Sequence, residues 1–397
     1  MRNESVAILD IRSDEITFLL GSRGVNGTFV FSDVHSEKYE GYSVENGFYD
    51  EESFRHAVSA SVTSVRQNYE GKIEEVYVGV PSGFITLMTK GHTNSYPSKR
   101  KITSQDVEAL YDSGYNELLS KTGVCIRRSN MYFTLGDNRK YFTANDLCGV
   151  PTTMLKGALC YYFVADVFYE TTNAVLKDLG FNEVQYIPST LAQATYLMTA
   201  KKREGYAFLL DVGFLTSSIS VIYGNGIVHE QSFDCGIGKI LAYLVERFNV
   251  EYSVAEEMLE SANISGGAVS PHLNWTSEQI DQTFSVKMIN DSIKWGLDNL
   301  CEKVQAFFNE HYRDKATTGL TINPISITGE GITYIKGATE HLAGRLNRLT
   351  EVVYPDLPYY DKPNYSSRIS LLDMALSDRK KRGFWNRIFN KMGGKKK

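Results

Sequence analysis

The stretch SVAILDIRSDEITFLL, residues 5–20, returns in altered form as AFLLDVGFLTSSISVI, residues 207–222. Each reads as a β-rich run ending in an aspartate (Asp10 or Asp211), a tight turn, and a second β-rich run. Two copies about 200 residues apart predict two related halves, each opening with a strand–turn–strand hairpin.

Working outward, residues 51–68 carry Phe54, Val58, Val62 and Val65 at helical spacing, and residues 166–179 read as a helix stopped by Gly180. A strand over 75–80 precedes a distinct stretch, 81–162, that reads as a small α+β module with a helix over 104–120. In the second half a short acidic helix is expected over 254–262 and a loop at Ser265-Gly266-Gly267. A long helix is expected over 284–312, with Ile289, Ile293, Leu297, Leu300, Val304 and Phe307 on one stripe. A buried strand over 324–328 runs into Gly329-Glu330-Gly331 and a helix over 338–349, followed by an irregular Tyr/Pro-rich connection over 354–365. Alternating strands and helices imply α/β sheets with a cleft between the halves.

The charge is divided unevenly. Residues 379–397 hold nine Lys or Arg and no Asp or Glu. That leaves 33 basic against 47 acidic residues elsewhere, so a tail of +9 follows a body of −14. Within the tail Phe384, Trp385, Ile388, Phe389 and Met392 fall in an arc of about 140°, and Asn386, Arg387, Asn390 and Lys391 fill the opposite side. An aromatic face backed by Arg387 and Lys391 describes a helix lying in the plane of an anionic membrane surface. Ser377 or Asp378 is the expected start and Gly393-Gly394 the end. The apolar run is too short to cross a bilayer, which takes about 20 residues. A nucleic-acid tail would not segregate its apolar residues onto one side, so nucleic acid is not the expected partner.

At 397 residues and 42% hydrophobic content the chain has room for two or more domains. The five cysteines are scattered without a C-x-x-C pair, so neither a zinc site nor a disulfide framework is indicated, and they read as thiols of a reducing compartment. The early Asp10, Asp14 and Glu15 and the lack of an apolar run argue against a signal peptide, so the expectation is a cytoplasmic protein held at the membrane by its tail. The seven histidines show no metal spacing, and no Ser/His/Asp arrangement can be placed.

Three elements in order resemble the phosphate-one, phosphate-two and adenosine segments of the actin/Hsp70/sugar-kinase superfamily: the Asp10 turn, Asp211-Val212-Gly213, and Thr328-Gly329-Glu330-Gly331. Gly-rich turns let backbone N–H groups approach phosphates, and an aspartate in each turn can hold hydrated Mg²⁺. Gly47-Phe48-Tyr49-Asp50, Val76-Tyr77-Val78-Gly79-Val80, Leu179-Gly180-Phe181 and Pro188-Ser189-Thr190-Leu191-Ala192 narrow the likeness. With the inserted module and the amphipathic tail, the chain resembles the bacterial cell-division FtsA family over nearly its whole length.

That resemblance implies an actin-like two-domain α/β fold with an inserted small α+β subdomain of SHS2 type and a C-terminal amphipathic helix. It assigns 1–80 and 163–206 to the first domain, 81–162 to the insertion, 207–376 to the second domain, and 377–397 to a short linker and membrane helix. It further implies ATP with Mg²⁺ around Asp10, Arg12, Ser13, Asp211, Gly213, Thr216, Gly236, Glu256, Gly329 and Gly331, with Asp10 and Asp211 nearest the metal. The implied partners are the C-terminal peptide of FtsZ, other divisome proteins, further copies of the chain, and the inner face of the membrane at the division site.

The turns depart from the family pattern. Arg12 replaces a glycine in the first, and Phe214 and Leu215 take glycine places in the second. Bulky side chains obstruct the close backbone approach that phosphates require, which predicts a weakened nucleotide cleft and at most a weak ATPase. Two other readings of the fold are a PilM-like clamp for a membrane-protein peptide, which the basic tail argues against, and an ATPase or small-molecule kinase, which should keep both glycine turns.

Overall fold

The computed structural model describes residues 5–118, 122–137, 139–265, 270, 272–312, 323–332 and 335–393, the stretch 381–393 as backbone alone. The first half runs β1 (Val6–Ile11), β2 (Glu15–Arg23), β3 (Phe29–Lys38), the short β4 (Tyr42–Ser43) and β5 (Gly47–Phe48), α1 (Glu51–Asn68) and β6 (Glu75–Val80). The insertion comprises β7 (Ile85–Lys101), α2 (Ser104–Asn116), β8 (Val124–Thr134), α3 (Ala144–Leu147) and β9 (Pro151–Val164). The first half resumes with α4 (Asp166–Asp178), β10 (Glu183–Pro188), α5 (Ser189–Leu197) and α6 (Ala200–Arg203). The second half opens with β11 (Ala207–Val212), β12 (Ser217–Tyr223), β13 (Gly226–Phe233), α7 (Ile237–Phe248) and α8 (Tyr252–Ser261). It continues with β14 (Asn274–Thr276), β15 (Thr283–Ser285), α9 (Val286–Tyr312), β16 (Ile325–Thr328), α10 (Ala338–Leu346) and β17 (Thr350–Val352), before α11 (Ser366–Gly393).

The internal repeat is real in three dimensions. One sheet has the order β3-β2-β1-β6-β10 and the other β13-β12-β11-β16-β17. In each, three antiparallel strands are followed by two parallel ones. Asp10 pairs with Thr17 and Asp211 with Ser218, so both aspartates sit one residue before the end of the first strand. Both faces of β1 are covered: Leu9 and Ile11 pack with Val58, Val62 and Phe168 on one side, and Ile8 packs with Leu191, Leu371 and Leu372 on the other. In the second half Phe208, Leu210, Ile219 and Val221 meet Ile240, Leu244, Ile293 and Leu297. Strands buried on two faces read as continuous apolar runs, which is the pattern of VAIL and AFLL.

The insertion is a three-stranded sheet, β7-β9-β8, covered on one face by Val107, Leu110 and Tyr111 of α2. Its other face reaches the second half. The Ile227 N–H donates to Tyr162 Oη (3.1 Å), and the Asn225 N–H donates to Asn130 O (3.0 Å). Sequence reading attached this module to the first half, yet it hydrogen-bonds the β12–β13 hairpin as well.

Several boundaries move. The helix expected over 104–120 ends at Asn116, and residues 119–121 lie outside those described. The helix over 254–262 is Tyr252–Ser261, and the one over 338–349 ends at Leu346, where Asn347 takes a left-handed cap. The long helix begins at Val286 because Phe284 and Ser285 pair with Trp275 and Asn274. Part of the Ser265-Gly266-Gly267 loop lies outside the described residues. The largest correction is at the C-terminus. No linker or new helix start occurs at Ser377 or Asp378; α11 is one helix from Ser366 to Gly393. Its first turns are core, with Ile369, Leu371, Leu372 and Ala375 fully buried. A short isolated helix is marginal in water, but one extended from a packed stretch needs no new nucleus.

Leu371 and Leu372 press on Gly79 of β6 and Gly21 of β2, where an added Cβ would stand 2.4 and 2.6 Å from their methyls. Leu371→Ala is expected to lower stability by about 2–5 kcal/mol in urea unfolding, the range for a buried leucine that leaves a cavity.

Candidate functional site

The cleft is built from the two hairpin turns. The Arg12 N–H donates to Glu15 O (2.9 Å) and the Gly213 N–H to Thr216 O (3.1 Å), leaving Ser13-Asp14 and Phe214-Leu215 at the tips. The tips touch: the Leu215 N–H donates to Ser13 Oγ at 2.9 Å. Beside them Tyr42 Oη lies 3.3 Å from Thr216 Oγ1, the Val44 N–H donates to Asp234 Oδ1 (2.7 Å), and Ser82 Oγ lies 2.5 Å from Ser232 Oγ. Direct protein–protein bonds therefore bridge the mouth of the cleft. Deeper in, burial pushes Glu230 up to about 7, opposed by the hydroxyls of Thr190 and Ser220.

The start of α11 closes the floor. Ser366 Oγ accepts from Thr328 Oγ1 of the second sheet (2.7 Å), and Ser367 Oγ donates to Asp10 Oδ1 of the first (2.6 Å). Arg368 Nη2 donates to Glu15 Oε1 at 3.1 Å. One helix N-terminus thus bonds the first hairpin and the end of β16 in the second sheet.

Arg12 is the charge at the centre. It is buried, with Nη2 3.9 Å from Asp211 Oδ1 and Nε 3.6 Å from Glu330 Oε2. Its carbonyl accepts from Tyr39 Oη at 2.6 Å. Burial alone would lower its pKa, but Glu330, Asp211, Asp10 and Asp14 raise it above the ordinary arginine value and keep it charged. Burial pushes the Asp10 carboxyl up, opposed by Arg12, Arg368 and the Ser367 hydroxyl. Burial likewise raises Glu330, with Arg12 opposing. Asp211 Oδ2 accepts from Gln193 Nε2 of α5 (2.9 Å). Breaking a buried set of this kind from one side leaves uncompensated charge, which is strongly unfavourable.

The sequence resemblance implies a nucleotide here, and the inner part of the cleft does not fit its phosphates in this arrangement. The cavity lined by Arg12, Ser13, Asp211, Gly213 and Thr216 measures about 50 Å³. Pockets for nucleotide-sized ligands run to roughly 300–1,000 Å³. The N–H groups that open α7 are also engaged: Ile237 donates to Gly213 O (3.1 Å) and Gly238 to Phe214 O (2.8 Å). A guanidinium stands where hydrated magnesium would be held by Asp10 and Asp211. Among the described residues no three His, Cys, Asp or Glu cluster as metal ligands do.

The structure gathers Asp10, Arg12, Ser13, Asp211, Gly213 and Thr216 into this one cleft. The glycines assigned to ligand approach lie against neighbouring protein atoms instead. A Cβ on Gly236 would stand 2.2 Å from Phe214 O. Gly329 has φ +97°, and a Cβ there would stand 2.2 Å from Asp211 Oδ1 and 2.4 Å from Val212 O. A Cβ on Gly331 would meet Val212 Cγ1 at 2.7 Å. Glu256 sits apart, in an outer compartment of about 440 Å³ shared with Asp14, Lys38, Phe214, Glu260 and Glu330. Sequence reading missed Glu330, Ser367, Gln193 and Tyr39. Glu330 was visible as the acid between two glycines, but nothing in the sequence marked the other three. The membrane set Phe384, Trp385, Arg387, Ile388, Phe389, Lys391 and Met392 lies outside the residues whose side chains are described.

Arg12→Met is expected to lower stability at pH 8 by about 3–5 kcal/mol, because Asp10, Asp211 and Glu330 lose their shared cation. The folded pKa values of Asp10 and Glu330 are already raised, so the folded state holds protons that the unfolded chain releases. Stability of the variant should therefore fall as pH rises above the unfolded carboxylate range, and its deficit against wild type should narrow on acidification toward pH 5. Thermal melts of both proteins across that range check the sign.

No protein-family model matches the sequence, and no curated protein does. Solved structures do match. A chain of the PilM-PilN type IV pilus biogenesis complex aligns at 12% identity and TM-score 0.62, covering 94% of this chain and 99% of that one. MreB 5 of Spiroplasma citri bound to AMPPNP aligns at 10% identity and TM-score 0.55, covering 97% and 99%. The ethanolamine utilization protein EutJ from Carboxydothermus hydrogenoformans aligns at 11% identity and TM-score 0.50, covering 94% and 90%. Two sheets of matching topology around one cleft, alignable over nearly the full chain with these proteins, give this protein the actin-like fold.

Proposed function

We propose that the protein is a scaffold of the FtsA kind, held on the cytoplasmic face of the membrane by the end of α11 and acting by position rather than by nucleotide turnover. The observation that carries the reading is the continuity of α11. Its first turns pack on the first sheet and α5 and bond Thr328 of the second sheet, and the same helix runs on into the aromatic and basic segment. An amphipathic helix rooted in the core transmits lipid attachment to the whole body without a floppy tether. Each Lys or Arg near an anionic leaflet contributes about 1 kcal/mol, so a single copy binds reversibly and an array binds far more tightly.

In this reading the core self-associates, the second half takes the C-terminal peptide of FtsZ, and the protein works at the division site with other divisome components. The ion set around Arg12 fits that role, since it joins the halves through the protein's own charges. A PilM-like clamp for a peptide of a membrane protein is the second reading. It is supported by the likeness to a chain of the PilM-PilN complex and by the insertion docked across both halves.

Vesicle co-sedimentation tests the attachment. Full-length protein should pellet with phosphatidylglycerol vesicles, and Trp385→Glu should weaken binding by about tenfold or more. Unchanged pelleting would overturn the membrane assignment. Fluorescence anisotropy with a labelled FtsZ C-terminal peptide separates the two readings: saturable binding is expected, and its absence where a control FtsA binds would favour the clamp.

A further inference from the structure

The outer compartment of the cleft has a chemistry opposite to that of a phosphate site. Four carboxylates line it, those of Asp14, Glu256, Glu260 and Glu330, against the single ammonium of Lys38. Arg12 approaches Glu330 through Oε2, and Oε1 has no hydrogen-bond partner among the described residues. Asp14 is 6% exposed; its Oδ2 accepts from Lys38 Nζ at 2.5 Å, while its buried Oδ1 has no partner among the described residues. Buried carboxylate oxygens accept but cannot donate, so whatever satisfies them must bring N–H or O–H groups. A phosphate brings only acceptors and like charge.

The remaining wall is apolar and aromatic: Tyr39, Phe214, Ile237, Leu241 and Leu259, with half-exposed Tyr252 at the mouth. Lys38 Nζ lies 5.5 Å from the centre of the Phe214 ring, so that ring already accommodates an ammonium group. A volume of about 440 Å³ is enough for a small ligand. A quaternary ammonium carries no donor for the two partnerless oxygens, whereas a primary ammonium carries three.

We propose that this compartment binds a primary ammonium group on an apolar stem, its charge held by Glu330 and Asp14 and its stem laid against Phe214 and Leu241. The group has two possible sources, a free polyamine or a lysine side chain such as those ending this same chain at Lys395, Lys396 and Lys397. The inference does not depend on attachment to a membrane.

Isothermal titration of the full-length protein with spermidine, and separately with a peptide of residues 390–397, tests it. Saturable binding of at least one is expected, and the tighter of the two identifies the source. Glu256→Gln/Glu260→Gln changes only exposed side chains and should weaken binding by about fivefold or more. Lys38→Met removes the resident competitor for Asp14 and should tighten it by a similar factor. Neither tetramethylammonium nor ATP should displace the ligand. Absence of binding by both, affinities unmoved by the two variants, or displacement by ATP would each overturn the proposal.

Discussion

A single guanidinium neutralises carboxylates from both halves of the molecule. Asp10 comes from the first half, and Asp211 and Glu330 come from the second, yet all three face Arg12, which is buried with Asp10 while the other two carboxylates are part-buried. Charges this deep are tolerated only in mutual company. The relative placement of the halves follows, because separating them would strand Arg12 on one side and two carboxylates on the other. Ser13, Tyr42 and Val44 then bridge to the second half at hydrogen-bond distance.

The C-terminal helix makes the same junction from below. Ser366 and Ser367 bond one sheet each, and Leu371 and Leu372 fill space left by Gly79 and Gly21. In an actin-like fold opened and closed by a ligand, the connection between halves would be free to hinge. Here α11, the insertion on the β12–β13 hairpin, the Arg12 set and the bonds at the cleft mouth tie the halves together. A body braced in this way suits a part that holds others in position. It also gives a direct mechanical line from the cleft to the amphipathic segment, since both lie on α11.

Much of the architecture was legible because the repeated hairpins announce themselves. VAILDI and AFLLDV are apolar on both faces, as central strands must be, and each carries an aspartate one residue before its end. The stripes of α1 and α9 likewise declare which side faces the core. The start of α11 was not legible. The segment SSRISLLDMAL is buried nearly all round, so it lacks the polar stripe by which an exposed helix is recognised. A charge run beginning at Arg379 drew the boundary to the wrong place.

The sequence by itself determined that there are two related α/β halves, that larger residues (Arg12, Phe214 and Leu215) occupy glycine places in both hairpin turns, and that residues 379–397 form a cationic, aromatic segment. These are local properties, decided by periodicity and by the steric demands of neighbouring residues. Only the tertiary structure decided what Arg12 does. Its partners lie 199 and 318 positions away in Asp211 and Glu330, and a substitution that reads locally as damage to a phosphate site becomes, once the sheets are brought together, a counterion shared by buried Asp10 and part-buried Asp211 and Glu330. The reason is physical: electrostatic energy in a buried site depends on distance through space and on the exclusion of water, and neither is written in the order of residues along the chain.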